Sequence, residues 1–423
     1  MKKIFAILIA LTLCLTIGTG LAEEKTTLTV WCWDDAFNGA GMRAASALYT
    51  AEHPEVEVDV QIITDLPMVF SSAVLGQQYD LLPDIVLVQD RDLDKNVNLY
   101  NAYADLTDSG IDFSQFSPYK VQAASSGGRN YGIPFDNGVA CYVFRSDLLE
   151  QAGYTAADLT DITWDRFIEI GVDVKEKLGI PMLKIRTDAG FTILEMMMQS
   201  AGSWYFNAEG ALNITDNTVL REAIDLYLDM YDKGVIMEVS DGEQYTSAFY
   251  DGSVLGTINA SWVLASVSRE PSLSGKWAIT NIPALIEAEG ATNYSASGGC
   301  NWCVIETSPN KELAIDFLKE TIGGGSMAMQ YYADALDAAV VIGSYLPAIE
   351  TDAYNREVEY FGNDTIYSKL VDYSANVPQI NLGWYTTEAR TAMATAIAQV
   401  HAGSSIEDVL SEMHDTLEFQ MNQ

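Results

Sequence analysis

Strand-like and helix-like segments alternate along the chain between residues 28 and 88. Residues 28–33 are apolar and rich in β-forming residues, and apolar side chains then recur at helical spacing over residues 42–49. Residues 56–62 alternate valine or isoleucine with acidic or polar residues, which predicts a half-exposed strand at or near a sheet edge. A second helix is predicted over residues 66–75, and the apolar run 85–88 predicts a strand buried on both faces. This alternation indicates a parallel sheet with right-handed crossovers, and therefore an α/β fold.

The alternation continues towards the C-terminus. Residues 139–144 predict another strand, and Thr163 precedes a helical pattern in the N-cap position. Two final helices are predicted over residues 389–400 and 406–417, with a Gly-Ser-Ser segment at 403–405 between them. A chain of 423 residues has room for about two or three such domains.

The N-terminus predicts export. Lys2 and Lys3 precede an apolar run over residues 4–17, and small residues lead to Ala22, so we predict a signal peptide over residues 1–22. The alternative is an uncleaved anchor, but the apolar run is short for a bilayer span. Leu13 before Cys14 departs from the lipoprotein pattern, and a free or lipid-anchored form stays open. The expected location is the periplasm or the extracellular cell surface.

Charge and residue usage exclude several classes of function. The chain has 59 acidic and 23 basic residues, a net charge of −36, which repels nucleic acid. It has only three histidines, so neither a histidine-based zinc site nor a histidine general base is expected. We interpret the clustered acids as surface residues and not as a calcium loop, since no glycine follows them. They are Asp84, Asp90, Asp92 and Asp94.

The Cys-x-x-Cys segment at residues 300–303 has two interpretations. The first interpretation is a redox motif or half of a metal site. However, the sequence has no second pair of this spacing and no nearby histidine that would complete a zinc site. Small buried residues on a strand are the favoured interpretation, and whether Cys300 and Cys303 form a disulfide stays open. No cofactor and no metal are expected.

Tryptophans recur in loops just past the predicted strands, with polar residues beside several of them. In open α/β sheets, ligands collect at the carboxyl ends of strands. A flat aromatic ring covers the C–H face of a pyranose, while carboxylates and amides bind its hydroxyls, so this pairing favours a neutral sugar. Core packing is the alternative for any single one of them. The tryptophans concerned are Trp33, Trp204, Trp262, Trp302 and Trp384.

Catalysis has little support in the sequence. A glycosidase needs two carboxylates, but among 59 acids some pair is certain and carries no signal. The chain contains no G-x-S-x-G, H-E-x-x-H or G-x-x-x-x-G-K-[ST] motif. Residues 136–138, Asp-Asn-Gly, follow a strand and a proline; they fit either an ordinary turn or a ligand-binding hinge.

Seven segments occur in an order that resembles the extracellular solute-binding proteins of ABC importers, specifically the sugar-binding family (family 1) related to maltose-binding protein. Residues 131–136, Tyr-Gly-Ile-Pro-Phe-Asp, running into 144–149, Phe-Arg-Ser-Asp-Leu-Leu, are the most specific. The other segments lie at residues 28–34, 53–58, 82–86, 163–167, 260–262 and 298–318. Together they cover essentially the whole mature chain.

The resemblance implies a two-lobed type II periplasmic-binding-protein fold, with a mostly parallel sheet in each lobe and a cleft between them. It implies an N-terminal lobe over residues 23–133 plus 294–344, and a C-terminal lobe over 134–293 plus 345–423. A sugar held in the cleft would be delivered to a membrane permease by a monomer that is not an enzyme. The implied ligand shell is Trp33, Asp35, Asn38, Asp90, Asp136, Trp204, Trp262, Gly299, Trp302 and Trp384. A receptor of this fold for a polyamine or peptide is the alternative, followed by a secreted glycan hydrolase.

Overall fold

The computed structural model describes residues 25–187 and 191–422. The predicted signal peptide, residues 1–22, lies outside them. The strands are β1 Thr26–Cys32, β2 Val56–Ile62, β3 Ile85–Gln89, β4 Ser125–Ser126, β5 Arg129–Asn130, β6 Ile133–Pro134, β7 Ala140–Arg145, β8 Leu183–Arg186, β9 Ile236–Val239, β10 Gly256–Ala260, β11 Trp277–Thr280 and β12 Cys300–Val304.

The helices occupy the connections between these strands and the C-terminal part of the chain. They are α1 Ala40–Glu52, α2 Leu66–Leu75, α3 Asp90–Tyr100, α4 Pro118–Ala123, α5 Ser146–Gln151, α6 Trp164–Leu178, α7 Thr192–Ser200, α8 Thr218–Asp232, α9 Gly242–Asp251, α10 Val263–Val267, α11 Lys311–Glu320, α12 Ala328–Ala339, α13 Asp352–Asn355, α14 Ile366–Ala375, α15 Thr386–His401 and α16 Ile406–Met421. Short 3-10 turns and one π-helical turn, Asp35–Gly39, join them.

Two five-stranded sheets form the framework of the described residues. The first has the order β2-β1-β3-β12-β6, and the second has the order β11-β7-β10-β8-β9. In the first sheet only β12 runs against its neighbours, and in the second only β7 does. The expected mostly parallel α/β architecture is therefore present in both, and β2 is an edge strand as its alternation predicts.

Burial on both faces explains the continuous apolar strands. All six side chains of β7 are buried, and those of residues 140–144 alternate between two hydrophobic clusters. Cys141 and Val143 pack in a cluster with the first sheet, whereas Tyr142 and Phe144 pack in a second cluster with α6, α8 and the C-terminal helices. Since neither face meets water, the strand has no polar alternation.

The chain passes between the two sheets at segments that lie side by side. Residues 135–139 connect β6 to β7, and residues 281–299 connect β11 to β12. These segments are hydrogen-bonded to each other, from Ser297 N–H to the Gly138 carbonyl at 2.8 Å and from Ala140 N–H to the Ser295 carbonyl at 2.8 Å. Residues 342–343 pair with the first segment, where Asn137 N–H donates to the Ile342 carbonyl. No helix among the described residues is long and apolar enough to cross a membrane.

Candidate functional site

A cavity lies between the two sheets, beside the segment that joins β11 to β12. We call it the central cavity; it holds about 790 Å³ of empty space, including the part open to solvent. Residues 89–91 and 298–300 line it from the first sheet, and Glu195, Gln199 and Trp204 line it from the side of the second. Several residues between 380 and 390, ahead of α15 and in its first two turns, complete the lining. Side chains from both halves therefore face the same space.

Gly298 and Gly299 bring the backbone directly to this cavity. The Gly299 carbonyl accepts the Asp90 N–H at 3.0 Å, which ties the segment to the start of α3. Gly299 has φ +120°, and a Cβ there would collide with Lys120 Nζ and the Asp90 carboxylate. Only glycine allows this approach without strain.

A buried ion pair lies behind Gly299. Lys120 is fully buried, and its Nζ lies 2.7 and 2.6 Å from the two carboxylate oxygens of Asp90. Asn301 Nδ2 donates to the same carboxylate at 2.8 Å. Burial raises the pKa of Asp90 to about 6, while the Lys120 ammonium opposes the shift. The Asp90 carboxylate is thus committed to protein partners, and it acts on the cavity by fixing Lys120 and Gly299.

A second charged group faces the cavity from the other side. Glu195 is 6% exposed, and its Oε1 lies 3.0 Å from Arg390 Nε. Burial raises the pKa of the Glu195 carboxyl to about 7, against the opposing effect of the Arg390 and Arg91 guanidinium groups. Arg91 belongs to α3 on the first side, so charges of both signs meet across the cavity.

A second cavity adjoins the first and shares Ser297 with it. We call it the lateral cavity; it holds about 910 Å³ of empty space on the same measure, and β8, α9 and the end of β10 line it. Trp262 lines this cavity with 42% of its surface exposed. Beside it, Asn259 Nδ2 donates to the Tyr245 hydroxyl at 2.9 Å, and that hydroxyl is 2.5 Å from Thr257 Oγ1. An open aromatic face thus lies next to a fixed polar network.

Two other predicted tryptophans lie near the central cavity, on the side of the second sheet and α15. Trp204 is 6% exposed and lines the cavity, and its Nε1 donates to Thr386 Oγ1 at 2.9 Å. Trp384 is 38% exposed and donates from Nε1 to Asp94 Oδ2 of α3 at 2.7 Å. A second contact joins the same regions, from Lys95 Nζ to Glu388 Oε1 at 3.4 Å. Helix α3 and the start of α15 are therefore in contact across the two halves.

Six residues of the expected ligand shell line neither cavity: Trp384, described above, and five others. Trp33 lines a separate small cavity between β3 and α2, and Asp35 is paired at the surface with Arg43 at 2.9 Å. Asn38 is buried in the turn before α1, and Trp302 is fully buried against Phe135, with ring centroids 5.6 Å apart. Asp136 is also buried, and its carboxylate accepts the Cys300 N–H at 2.9 Å.

The Asp-Asn-Gly segment and the Cys-x-x-Cys segment are both structural. Residues 136–138 form part of the first connection between the sheets, and Asp136 fastens it to β12. Cys300 and Cys303 are buried, unbonded residues of β12, and positions three apart on a strand point to opposite faces. Within residues 25–187 and 191–422, no group of three or more His, Cys, Asp or Glu side chains could hold a metal ion.

The sequence reasoning missed Glu195, Gln199 and Arg390. The available signal was the isolated acid of α7, where all residues from Ile193 to Ser200 are buried. A charged residue in such a helix costs free energy unless it is paired, and this marks a candidate site.

Comparison with known proteins identifies the family. Residues 44–340 match the bacterial extracellular solute-binding proteins. The lactose-binding protein of Rhizobium radiobacter is 37% identical to this chain over 391 residues, which are 92% of this chain and 91% of that protein. The arabinooligosaccharide-binding protein of Halalkalibacterium halodurans is 26% identical over 325 residues, which are 70% of this chain and 67% of the relative.

A solved structure shows the same fold. The galacto-N-biose-/lacto-N-biose I-binding protein of the ABC transporter from Bifidobacterium longum, in complex with lacto-N-biose, superposes with a TM-score of 0.75. The match covers 94% of this chain and 97% of that one at 18% identity. The predicted type II periplasmic-binding-protein fold is confirmed, and so is the family resemblance. The chain belongs to the bacterial extracellular solute-binding proteins.

Proposed function

We propose that this protein captures a neutral di- or oligosaccharide in the central and lateral cavities and delivers it to the permease of an ABC importer. The observation that carries the proposal is the open face of Trp262, which lies beside the Asn259–Tyr245 hydrogen-bond network. An aromatic ring covers the C–H face of a sugar, and directional polar groups bind its hydroxyls. The relatives named for lactose and arabinooligosaccharide binding support the same class of ligand.

The proposed ligand shell draws on both halves of the molecule. Trp204, Trp262 and Gly299 contact the sugar, and Trp384 lies at the edge of the site. Asp90 acts indirectly, because its carboxylate is held by Lys120 and Asn301. We propose one lobe over residues 23–133 plus 294–344 and a second lobe over residues 134–293 plus 345–423. A ligand that touches both lobes favours their closed arrangement, and the permease then binds this form.

The proposed activity is binding by an exported monomer, without catalysis. A thermal-shift screen tests the ligand class, because a ligand at 100 times its Kd stabilises the folded state by about 2.7 kcal/mol. The panel contains lactose, β-1,6-galactobiose, maltose and an arabinooligosaccharide, with putrescine and a tripeptide representing the alternative solutes. We expect at least one saccharide to raise Tm and to be recovered intact after incubation. Stabilisation by putrescine or the tripeptide alone, or hydrolysis of a saccharide, would contradict the proposal.

A further inference from the structure

Glu195 is an isolated acid in a buried apolar helix. Its neighbours on α7 include Leu194, Met196, Met197 and Met198, all fully buried. Removing a carboxylate from water costs several kcal/mol unless charges and hydrogen bonds replace the water. Glu195 pays part of this cost through Arg390 and lies on the lining of the central cavity, so its position has no explanation in the packing of α7 alone.

Glu195 and Arg91 line the central cavity from opposite sides. Glu195 Oε1 lies 3.0 Å from Arg390 Nε, and the Tyr205 hydroxyl is a further polar partner of this carboxylate. Arg91 Nε is buried and donates no hydrogen bond within the described part of the chain. One side of the cavity therefore carries a carboxylate, which accepts hydrogen bonds, and the other side carries a guanidinium, which donates them.

A sugar hydroxyl matches this pair of groups. A hydroxyl donates one hydrogen bond and accepts others, so it can bind a carboxylate and a guanidinium at the same time. A ligand ammonium would lie close to Arg91 and Arg390, and a ligand carboxylate would lie close to Glu195. Charged ligands of either sign thus meet a like charge here, whereas an uncharged polyol does not.

We propose that Glu195 is a specificity-determining residue of the saccharide site, whose carboxylate accepts hydrogen bonds from the hydroxyls of one sugar ring held between Arg91 and Arg390. This inference rests on the proposed function. It adds that the ring in the central cavity is uncharged and that only the ionised form of Glu195 binds it fully.

The inference has a consequence for the dependence of affinity on pH. Because the pKa of Glu195 is raised to about 7, its carboxylate fraction in the free protein increases as pH rises from 6 to 8. The groups facing it are Arg390 of α15, Arg91 of α3 and the Tyr205 hydroxyl. With a pKa of about 7, about 9% of the Glu195 carboxyls are ionised at pH 6 and about 91% at pH 8. The affinity for the sugar should therefore increase about 10-fold over this range.

Calorimetry with lactose as the probe, at pH 6, 7 and 8, tests the inference on the full mature protein. We expect the affinity of the wild type to rise about 10-fold with pH, with release of about one proton per bound sugar at pH 6. Glu195→Gln should bind at least 10-fold more weakly at pH 8 and show no pH dependence. Glu195→Asp, which keeps the charge, should bind weakly but retain the pH dependence. Glu169→Gln, an exposed residue of α6 paired with Arg166, is the control and should match the wild type.

The outcomes separate this inference from the proposed function. A wild type that binds lactose while Glu195→Gln keeps the same affinity and pH profile overturns the role of Glu195 and leaves the proposed function intact. If lactose does not bind, the same measurements are made with whichever saccharide of the thermal-shift panel binds. Failure of every saccharide overturns both. Circular dichroism and Tm of each unliganded variant show whether it is folded. If Glu195→Gln is not folded, Glu195→Asp supplies the pH profile.

Discussion

Replacing Trp262 by alanine tests the sugar site most directly. Its side chain lines the lateral cavity, and 42% of the residue is exposed. This open part of the ring is available to a sugar. The substitution removes these ligand contacts together with the packing of the buried part of the side chain, so Tm of the unliganded variant is measured alongside its affinity.

The exposed area sets the size of the expected effect. A tryptophan presents about 250 Å² of surface, so 42% exposure leaves about 100 Å² for a ligand to cover. Covering most of this area at about 25 cal/mol per Å² contributes about 2 kcal/mol, or about 30-fold in Kd. Trp262→Phe keeps a smaller ring and should lose less.

Calorimetry with a sugar that binds the wild type measures this change. Tyr231→Ala is the matched control, since Tyr231 is also 42% exposed but lines neither cavity, and its affinity should not change. An unchanged Kd for Trp262→Ala, with the control also unchanged, would refute the stacking argument and remove Trp262 from the site.

Three further predictions concern the groups behind and beside the central cavity. Lys120→Met leaves the Asp90 carboxylate buried without its cation, and should lower the free energy of unfolding in urea by about 3–5 kcal/mol at pH 8. The folded-state pKa of Asp90 is raised to about 6, so most of this carboxyl is neutral at pH 5 and needs no cation. The loss of stability should therefore be smaller at pH 5 than at pH 8. Asp94→Asn weakens the bond from Trp384 that joins the two halves, and should reduce sugar affinity about 2–5-fold, as measured by calorimetry, because this exposed contact is worth about 0.5–1 kcal/mol. Gly299→Ala combines a φ of +120° with a collision, and should lower urea stability by more than about 2 kcal/mol.

Each of these has a control. Arg166→Met breaks an exposed ion pair and should cost less than about 1 kcal/mol, and an equal loss in Lys120→Met would contradict the buried-pair argument. Asp94→Asn should have the same free energy of unfolding in urea as the wild type. If its affinity for sugar also equalled that of the wild type, the Trp384 contact would not favour closure of the two halves. Gly290→Ala has a φ of +76° but no atom within 4 Å, so a similar loss there would show that strain alone, and not the collision, explains Gly299→Ala.

Local pattern predicted most of the secondary structure. The strict alternation of residues 56–62 predicts an edge strand, and β2 spans Val56–Ile62 at the edge of the first sheet. The Thr163 hydroxyl accepts the Arg166 N–H at the start of α6, as predicted for an N-cap. These features depend on neighbouring residues only, and the sequence contains that information directly.

Site residues were harder to predict because they depend on which face of an element meets the cavity. The sequence pattern predicts both Trp262 and Trp302 just past strands and beside polar residues, yet Trp262 opens into a cavity and Trp302 is completely buried inside β12. Successive residues of a strand point to opposite faces, so a tryptophan inside β12 can face the core while Gly299, just before that strand, meets the cavity. Glu195 was missed because no motif marks it; its role depends on Arg390, which is 195 residues away in sequence.

The position of β12 also affects how the chain can be made. This strand, Cys300–Val304, lies between β3 and β6, so the first sheet has a gap until about three hundred residues have left the ribosome. Strands β3 and β6 are synthesised long before β12, the strand that pairs with both of them. The N-terminal half must therefore wait for a distant segment, a long-range contact that slows folding. Slow closure of the first sheet is compatible with export, because a chain that crosses a membrane in an unfolded form must not fold before it is translocated.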